Sequence, residues 1–226
     1  MNNIFIGFDQ REAIAYHVCA NSIIRHAKKP VSMTPMALSM LHGYSETHTD
    51  GSNDFIYSRF LVPYLMAYTG WAVFIDGDML LRADINDLFL HTDPSKGVVV
   101  VQHNYQTRSS IKYLGSKNQN YPRKNWSSVI LWNCAHPSNR ILTPEYIQSA
   151  TGAQLHRFSW LRDEEIGALP IVWNWLPDEF SENNEAKLLH WTLGTPCFHD
   201  YATSPMASEW HREKIYTVYS TQHQLA

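Results

Sequence analysis

Two aspartates bracket a glycine in the run WAVFIDGDMLL, where Asp76, Gly77 and Asp78 follow directly on an apolar stretch. In extended backbone, side chains two residues apart project to the same side, so the two carboxylates face one region. Gly77 allows backbone to approach a ligand closely. Two neighbouring anions repel each other unless a cation lies between them, and hard carboxylate oxygens suit Mg²⁺ or Mn²⁺. A metal held there would bridge a diphosphate and offset the charge developing on its leaving oxygen. His190, in LLHWTLGTPCF, is a candidate third ligand, because neutral imidazole joins carboxylates around Mn²⁺. In the same run Gly194 would bring backbone N–H groups to a phosphate, as in an anion-binding nest.

Other residue types add to this picture. Arg59 follows FIYS, and a guanidinium there can grip phosphate bidentately. The run WLRDEEIG carries Asp163, Glu164 and Glu165, one of which would orient a sugar hydroxyl while the others form a solvated face. Asn125 with Trp126, and Asn174 between Trp173 and Trp175, pair an amide that can bind a sugar with an indole that can stack on it. The common nucleotide motifs are missing: there is no G-x-G-x-x-G after the first strand and no G-x-x-x-x-G-K-[ST]. Pro196-Cys197 lacks the second cysteine of a deaminase signature.

Composition bounds the setting. The formal net charge of −3 and the absence of a long basic stripe argue against a broad nucleic-acid surface. Cys19, Cys134 and Cys197 are far apart and odd in number, which reads as free thiols in a reducing compartment. Asp9 interrupts the apolar start at once, so no signal peptide is expected, and no apolar run reaches the roughly 18 residues of a spanning helix. The expectation is a cytoplasmic protein.

The elements that must position these groups are legible in outline. IFIGF (residues 4–8) reads as a buried first strand, followed by a helix over 12–28 that Pro30 stops. Residues 31–51 show no regular pattern. Asp54 is a candidate cap for a helix whose start Pro63 delays or kinks. Strands are expected over 72–75, 97–101 and 128–132, with a brief one over 171–173. Helices are expected from Thr143, over 160–166 and over 207–215. Strands alternating with helices give an α/β class with a mostly parallel central sheet flanked by helices, and its ligands sit beyond the carboxyl ends of the strands. Asp9 and Asp76 each follow such a strand. The 226 residues read as one domain, with 201–226 a C-terminal segment packed on it.

Four blocks together resemble the GT-A glycosyltransferases, most closely the small bacterial and viral relatives of the glycogenin and lipopolysaccharide galactosyltransferase family. IFIGFDQREAIAYHVCANSII is similar to the strand and helix that hold the nucleotide base, which assigns Phe8, Asp9 and Tyr16 to that role. YSRFLVPYL resembles the helix whose arginine, here Arg59, reaches the donor. AVFIDGDMLLRADINDLF carries the metal-binding DxD as Asp76 and Asp78, and LLHWTLGTPCF looks like the block that supplies the third ligand as His190 and a glycine beside the diphosphate as Gly194. NWSSVILWN is similar to a donor-sugar strand, implicating Asn125 and Ser127. RDEEIGALPIVWNWLP resembles a block whose carboxylate binds sugar hydroxyls, here Asp163. The family often places a lysine two residues after the glycine of the fourth block; Thr195 and Pro196 stand there instead, which leaves Arg59 more of the phosphate charge to carry.

The resemblance implies Mn²⁺ or Mg²⁺ as cofactor, a nucleotide-sugar donor (commonly a UDP-sugar), an acceptor hydroxyl on a saccharide or other molecule, and retention of anomeric configuration by front-face attack. Read from the residues alone, Asp163 is equally a base or a nucleophile. The rival readings are a nucleotidyltransferase, a sugar-nucleotide hydrolase, a sugar-binding scaffold, or transfer to a modified nucleic-acid base. A basic groove beside Asp78 would favour the last, and a neutral aromatic cleft a saccharide.

Overall fold

The computed structural model describes residues 1–219; residues 220–226, the end of the expected C-terminal segment, lie outside the described residues. Eight strands form: β1 (Asn2–Gly7), β2 (Val31–Met36), β3 (Trp71–Ile75), β4 (Met79–Leu81), β5 (Val98–Val101), β6 (Val129–Asn133), β7 (Ile166–Leu169) and β8 (Leu188–His190). Six of them make one sheet in the order β2-β1-β3-β6-β5-β7. All run one way except β6, which lies antiparallel between β3 and β5. The mostly parallel α/β architecture expected from the sequence is present.

Alternation along the strands divides the core into two layers. Phe5, Phe74, Val100 and Trp132 face one side, where Phe55, Phe60 and Phe158 cover them. Ile4, Ile6, Val73, Val99 and Leu131 face the other, where Cys19 and Ile23 of the first helix and Trp173 cover them. That helix, α1 (Ala13–His26), buries Ala15, Val18, Cys19, Ser22 and Ile23, a spacing of three and four residues that forms one apolar stripe. Arg25 and His26 in its last turn meet the negative end of the helix dipole.

Several local expectations change. β2 forms where no element was expected; it is an edge strand, which is where a strand tolerates a proline such as Pro35. The segment from Asp54 starts its helix late, as Pro63 requires: a 3-10 turn (Ser58–Leu61) leads into a single turn, α2 (Val62–Leu65), and Asp54 caps neither. After α3 (Pro144–Ser149), capped by Thr143, comes α4 (Gly152–His156). There Thr151 and Gln154 exchange side-chain and backbone hydrogen bonds in a capping box. The helix expected over 160–166 is only a 3-10 turn, Asp163–Glu165, because Ile166 is drawn into the sheet opposite Val98. The strand expected over 171–173 is likewise a 3-10 turn, Ile171–Asn174, following β7.

The remaining two strands, β4 and β8, form a small antiparallel ladder of their own. Leu80, Leu189 and Trp191 pack there against Val18 of α1 and against Met206 and Trp210 at the start of α5 (Ala207–Val218). Glu213 of α5 accepts from Asn21 at 2.7 Å and pairs with Arg25, which ties the last helix to the first.

Candidate active site

The end of β3 and the β4–β8 ladder bring the two acidic residues and the imidazole together. Asp76 extends β3 by one hydrogen bond, donating its N–H to the Ser128 carbonyl at 3.1 Å. Asp78 immediately precedes Met79, whose partner across the ladder is His190. Gly77 between them is a packing requirement: a Cβ there would lie 2.2 Å from the Gly7 carbonyl oxygen at the end of β1. His190 Nε2 lies 3.8 Å from Asp76 Oδ2 and 3.5 Å from Asp78 Oδ1. One ligand atom from each of the three residues falls within 4.8 Å of the others.

The donor set fits a hard divalent cation. Asp78 Oδ1 is buried and receives no hydrogen bond, and Asp76 Oδ1, although 2.7 Å from Arg59 Nη1, receives no aligned one. Asn174 is fully buried; its amide nitrogen donates to the Asn125 carbonyl at 3.2 Å, so its Oδ1 is left to accept from His190 Nδ1 at 2.9 Å. That bond fixes the proton on Nδ1 and turns the Nε2 lone pair toward the two carboxylates. Three converging electron pairs in a buried place call for a cation. Burial raises the Asp76 carboxyl to about 6; Arg59 works against that rise and Asp78 adds to it.

Arg59 is held rather than free. It is 3% exposed, donates from Nε to the Ile56 carbonyl at 3.0 Å and from Nη1 to the Ser127 carbonyl at 2.9 Å, and lies 5.0 Å above the Phe74 ring. Asn125 takes a left-handed conformation (φ 60°), which asparagine tolerates, and donates to Tyr105 Oη at 2.7 Å. Ser127 Oγ meets His156 Nδ1 at 2.7 Å. Burial, with the charges of Arg59 and Lys112 adding to it, pushes His156 down to about 3, so this imidazole is neutral, and its Nε2 is buried without a partner. Arg59, Asp76, Asp78, Asn125, Ser127 and His190 therefore line one cleft.

Other expected site residues lie elsewhere. Asp163 has a side chain 85% exposed and pairs with Arg123 at 2.5 Å, outside the cleft. Gly194 spends its N–H on the Trp191 carbonyl at 3.1 Å, and the Tyr201 ring fills the space a side chain would need. Packing against Tyr201 accounts for that glycine. Asp9 accepts from the Arg11 side chain, the Arg11 N–H and the Asp54 N–H. Burial alone would raise its pKa, but those bonds hold it below the usual carboxylate value. Phe8 and Tyr16 meet edge to face with centroids 5.5 Å apart, and neither they nor Asp9 line the cleft. Trp126 and Trp173 also lie off it, and Asn174 serves His190 rather than a sugar.

The structure also brings a lysine to the cleft from a different segment. Residues 102–128 form a long connection between β5 and β6, and part of it folds back as a hairpin. Lys112 and Ser116 are hydrogen-bonded through the backbone at 2.7 Å, and Ile111 bridges Lys117. The Tyr113 N–H donates to the Leu193 carbonyl at 2.7 Å, so the hairpin docks on the turn after β8. This delivers Lys112 to the cleft, where its Nζ reaches Thr192 Oγ1 at 3.3 Å. Burial lowers its pKa, and the nearby Asp78 and Asp76 oppose that fall. Thr195, just before the position at which the family often has its lysine, donates to the buried Glu12 at 2.7 Å. The only sequence signal for Lys112 was the length of its connection, since loops that long are usually functional; nothing in the sequence marked His156.

This arrangement belongs to a known fold. The chain superposes on the galactosyltransferase LgtC in complex with donor and acceptor sugar analogs, with TM-score 0.64 and 12% identity over 99% of each chain. It superposes on the bifunctional glycosyltransferase WbbM with TM-score 0.68 and 16% identity, covering 99% of this chain and 50% of that one, so it spans half the length of WbbM. For GlyE of Streptococcus pneumoniae TIGR4 the TM-score is 0.62 at 13% identity, over 95% of this chain and 60% of GlyE. The fold is that of the GT-A glycosyltransferases. In sequence, the chain is 42% identical over 219 residues to Protein CDI of Arabidopsis thaliana, covering 93% of this chain and 85% of CDI, and it belongs to the Protein CDI family. No protein-family model matches it. No helix among the described residues is long and apolar enough to cross a membrane.

Proposed function

We propose that the protein is a metal-dependent glycosyltransferase that moves a sugar from a nucleotide-diphosphate donor, a UDP-sugar by preference, to an acceptor hydroxyl. The observation that carries this reading is the convergence of Asp76, Asp78 and His190 within 4.8 Å, in a cleft that also holds Arg59 and Lys112, on a GT-A fold. The three residues would hold Mn²⁺ or Mg²⁺, which when bound supplies Lewis-acid neutralisation of a departing diphosphate. Asn174 keeps the His190 lone pair pointed inward, and Arg59 and Lys112 add positive charge where a diphosphate leaves. Asn125, Ser127 and neutral His156 offer hydrogen bonds to donor-sugar hydroxyls. The acceptor oxygen forms its bond to the anomeric carbon as the bond from that carbon to phosphate breaks, and the acceptor proton leaves with the diphosphate. The cleft's only carboxylates among the described residues are Asp76 and Asp78, which leaves a double displacement without a separate protein nucleophile. Retention, as the resemblance implies, would then proceed by attack on the donor's own face. One domain carries out the whole reaction. Three free cysteines, two of them buried, fit a reducing compartment such as the cytoplasm.

Calorimetric titration of UDP tests this reading. UDP binding is expected to require Mn²⁺ in the native protein and to vanish in Asp78→Ala, which keeps its circular dichroism. Equal UDP binding with and without metal would reject it.

A further inference from the structure

A second, wider cleft opens from the first, with Ser52, Ile56, Lys112, Tyr121 and His156 as shared walls. Its outer wall is strongly basic. The hairpin side contributes Lys112 and Lys117, the segment leading to β6 contributes Lys124, and the end of α4 contributes Arg157. The single carboxylate lining it is Asp50, which accepts from Tyr57 Oη at 2.6 Å.

These cations lack anionic partners. Among the described residues, ion pairs such as Arg59–Asp76 and Arg123–Asp163 form around the site, but none includes Lys112, Lys117, Lys124 or Arg157. The Arg157 Nε is buried with no hydrogen-bond partner. Lys124 points its ammonium at neutral acceptors, Asn118 Oδ1 at 2.7 Å and the Gln119 carbonyl at 2.8 Å. Burial and then the charge of Lys112 push its pKa down to about 8. Lys117 is exposed, but for the buried Lys124 and the half-buried Arg157 staying unpaired is costly unless an anion arrives to meet them.

Resting on the glycosyltransferase reading, we propose that the acceptor is a sugar bearing its own carboxylate or phosphate, which Arg157 and Lys117 grip beside the donor cleft while Lys112 faces the diphosphate. A basic cleft beside the site is the feature that would also favour a nucleic-acid base as acceptor, but these charges enclose the cleft from two sides rather than forming a stripe, and the chain's net charge is −3. A compact anion on a small acceptor fits this better than a nucleic-acid backbone, which is bound by an extended basic face.

The test is calorimetry on the full chain with Mn²⁺ and UDP present, titrating glucose, glucuronate and glucose 6-phosphate. Both charged sugars are expected to bind at least about ten-fold tighter than glucose, the worth of one charge-assisted hydrogen bond. A preference for only one of them would name the carboxylate or the phosphate as the anion. The double variant Arg157→Gln/Lys117→Gln is expected to lose that preference while its UDP affinity stays within about two-fold. Equal binding of charged and neutral sugars would overturn the proposal, as would a double variant that loses UDP instead. A single-stranded oligonucleotide that outbinds both sugars and is lost with the same substitutions would replace the sugar acceptor with a nucleic acid. If UDP fails to bind but the charged sugars bind through Arg157 and Lys117, the donor reading falls and the anion site stands.

Discussion

Glu12 is a carboxylate in a place that disfavours its charge. Burial first, and then the negative charge of Asp78, raise it to about 8, while the hydrogen bond from Thr195 only partly offsets them. Its pKa is therefore higher in the folded protein than in the unfolded chain, where it is close to 4.5. The folded state keeps a proton that the unfolded state has released, so stability falls as pH rises between those values, by about 1.4 kcal/mol per unit of that gap at most. Glutamine keeps an acceptor for Thr195 without the charge. In metal-free buffer, Glu12→Gln should melt well above the native protein at pH 8 and close to it at pH 5. A melting difference that did not grow with pH would mean that Glu12 is already ionised in the fold. At this scale the sequence was most informative where chemistry is local. Asp76 and Asp78 sit on one short turn, and His190 lies in a run with its own pattern. Asp163 misled because an acidic cluster reads the same whether it faces a cleft or solvent, and only tertiary packing placed His156 where a sugar-binding group was sought.

Among the elements, the tightest fit near the site is where the turn after β3 passes the end of β1, its parallel neighbour in the sheet. The Gly77 backbone runs so close to the Gly7 carbonyl that a methyl group would lie 2.2 Å from it, and that neighbour is backbone and cannot swing away. Gly77→Ala should therefore push Asp76 and Asp78 apart, lowering Mn²⁺ affinity by about ten-fold or more, the scale seen when the support of metal ligands is disturbed. Isothermal titration with Mn²⁺ measures this directly, and native-like affinity would show that the turn can relax. The larger strands were readable from runs such as VVVV, but three-residue strands were not. β4 and β8 are too short to show periodicity, and their pairing, which sets His190 against Met79, is a long-range contact. The hairpin that carries Lys112 is built from polar residues whose order comes from hydrogen bonds and docking, which leave no repeating pattern.

For the molecule as a whole, the last helix braces the site from behind. Trp210 is fully buried among Val18, Leu189 and Trp191, so it joins α5 to α1 and to the β4–β8 ladder. Trp210→Ala should cost about 3–5 kcal/mol, as expected for a large core truncation. Because the ladder positions His190, the variant should also bind Mn²⁺ more weakly. Thermal melts and metal titration on one preparation separate the two effects; lost stability with unchanged metal affinity would show that the ladder holds its shape unaided.

The β4–β8 pairing also has a consequence for biosynthesis. Asp76 and Asp78 leave the ribosome more than a hundred residues ahead of His190. A nascent chain arrested before β8 would carry its acidic pair without the imidazole of the proposed metal site, so on that reading capture of an ion should come as a late event of synthesis that marks a finished fold.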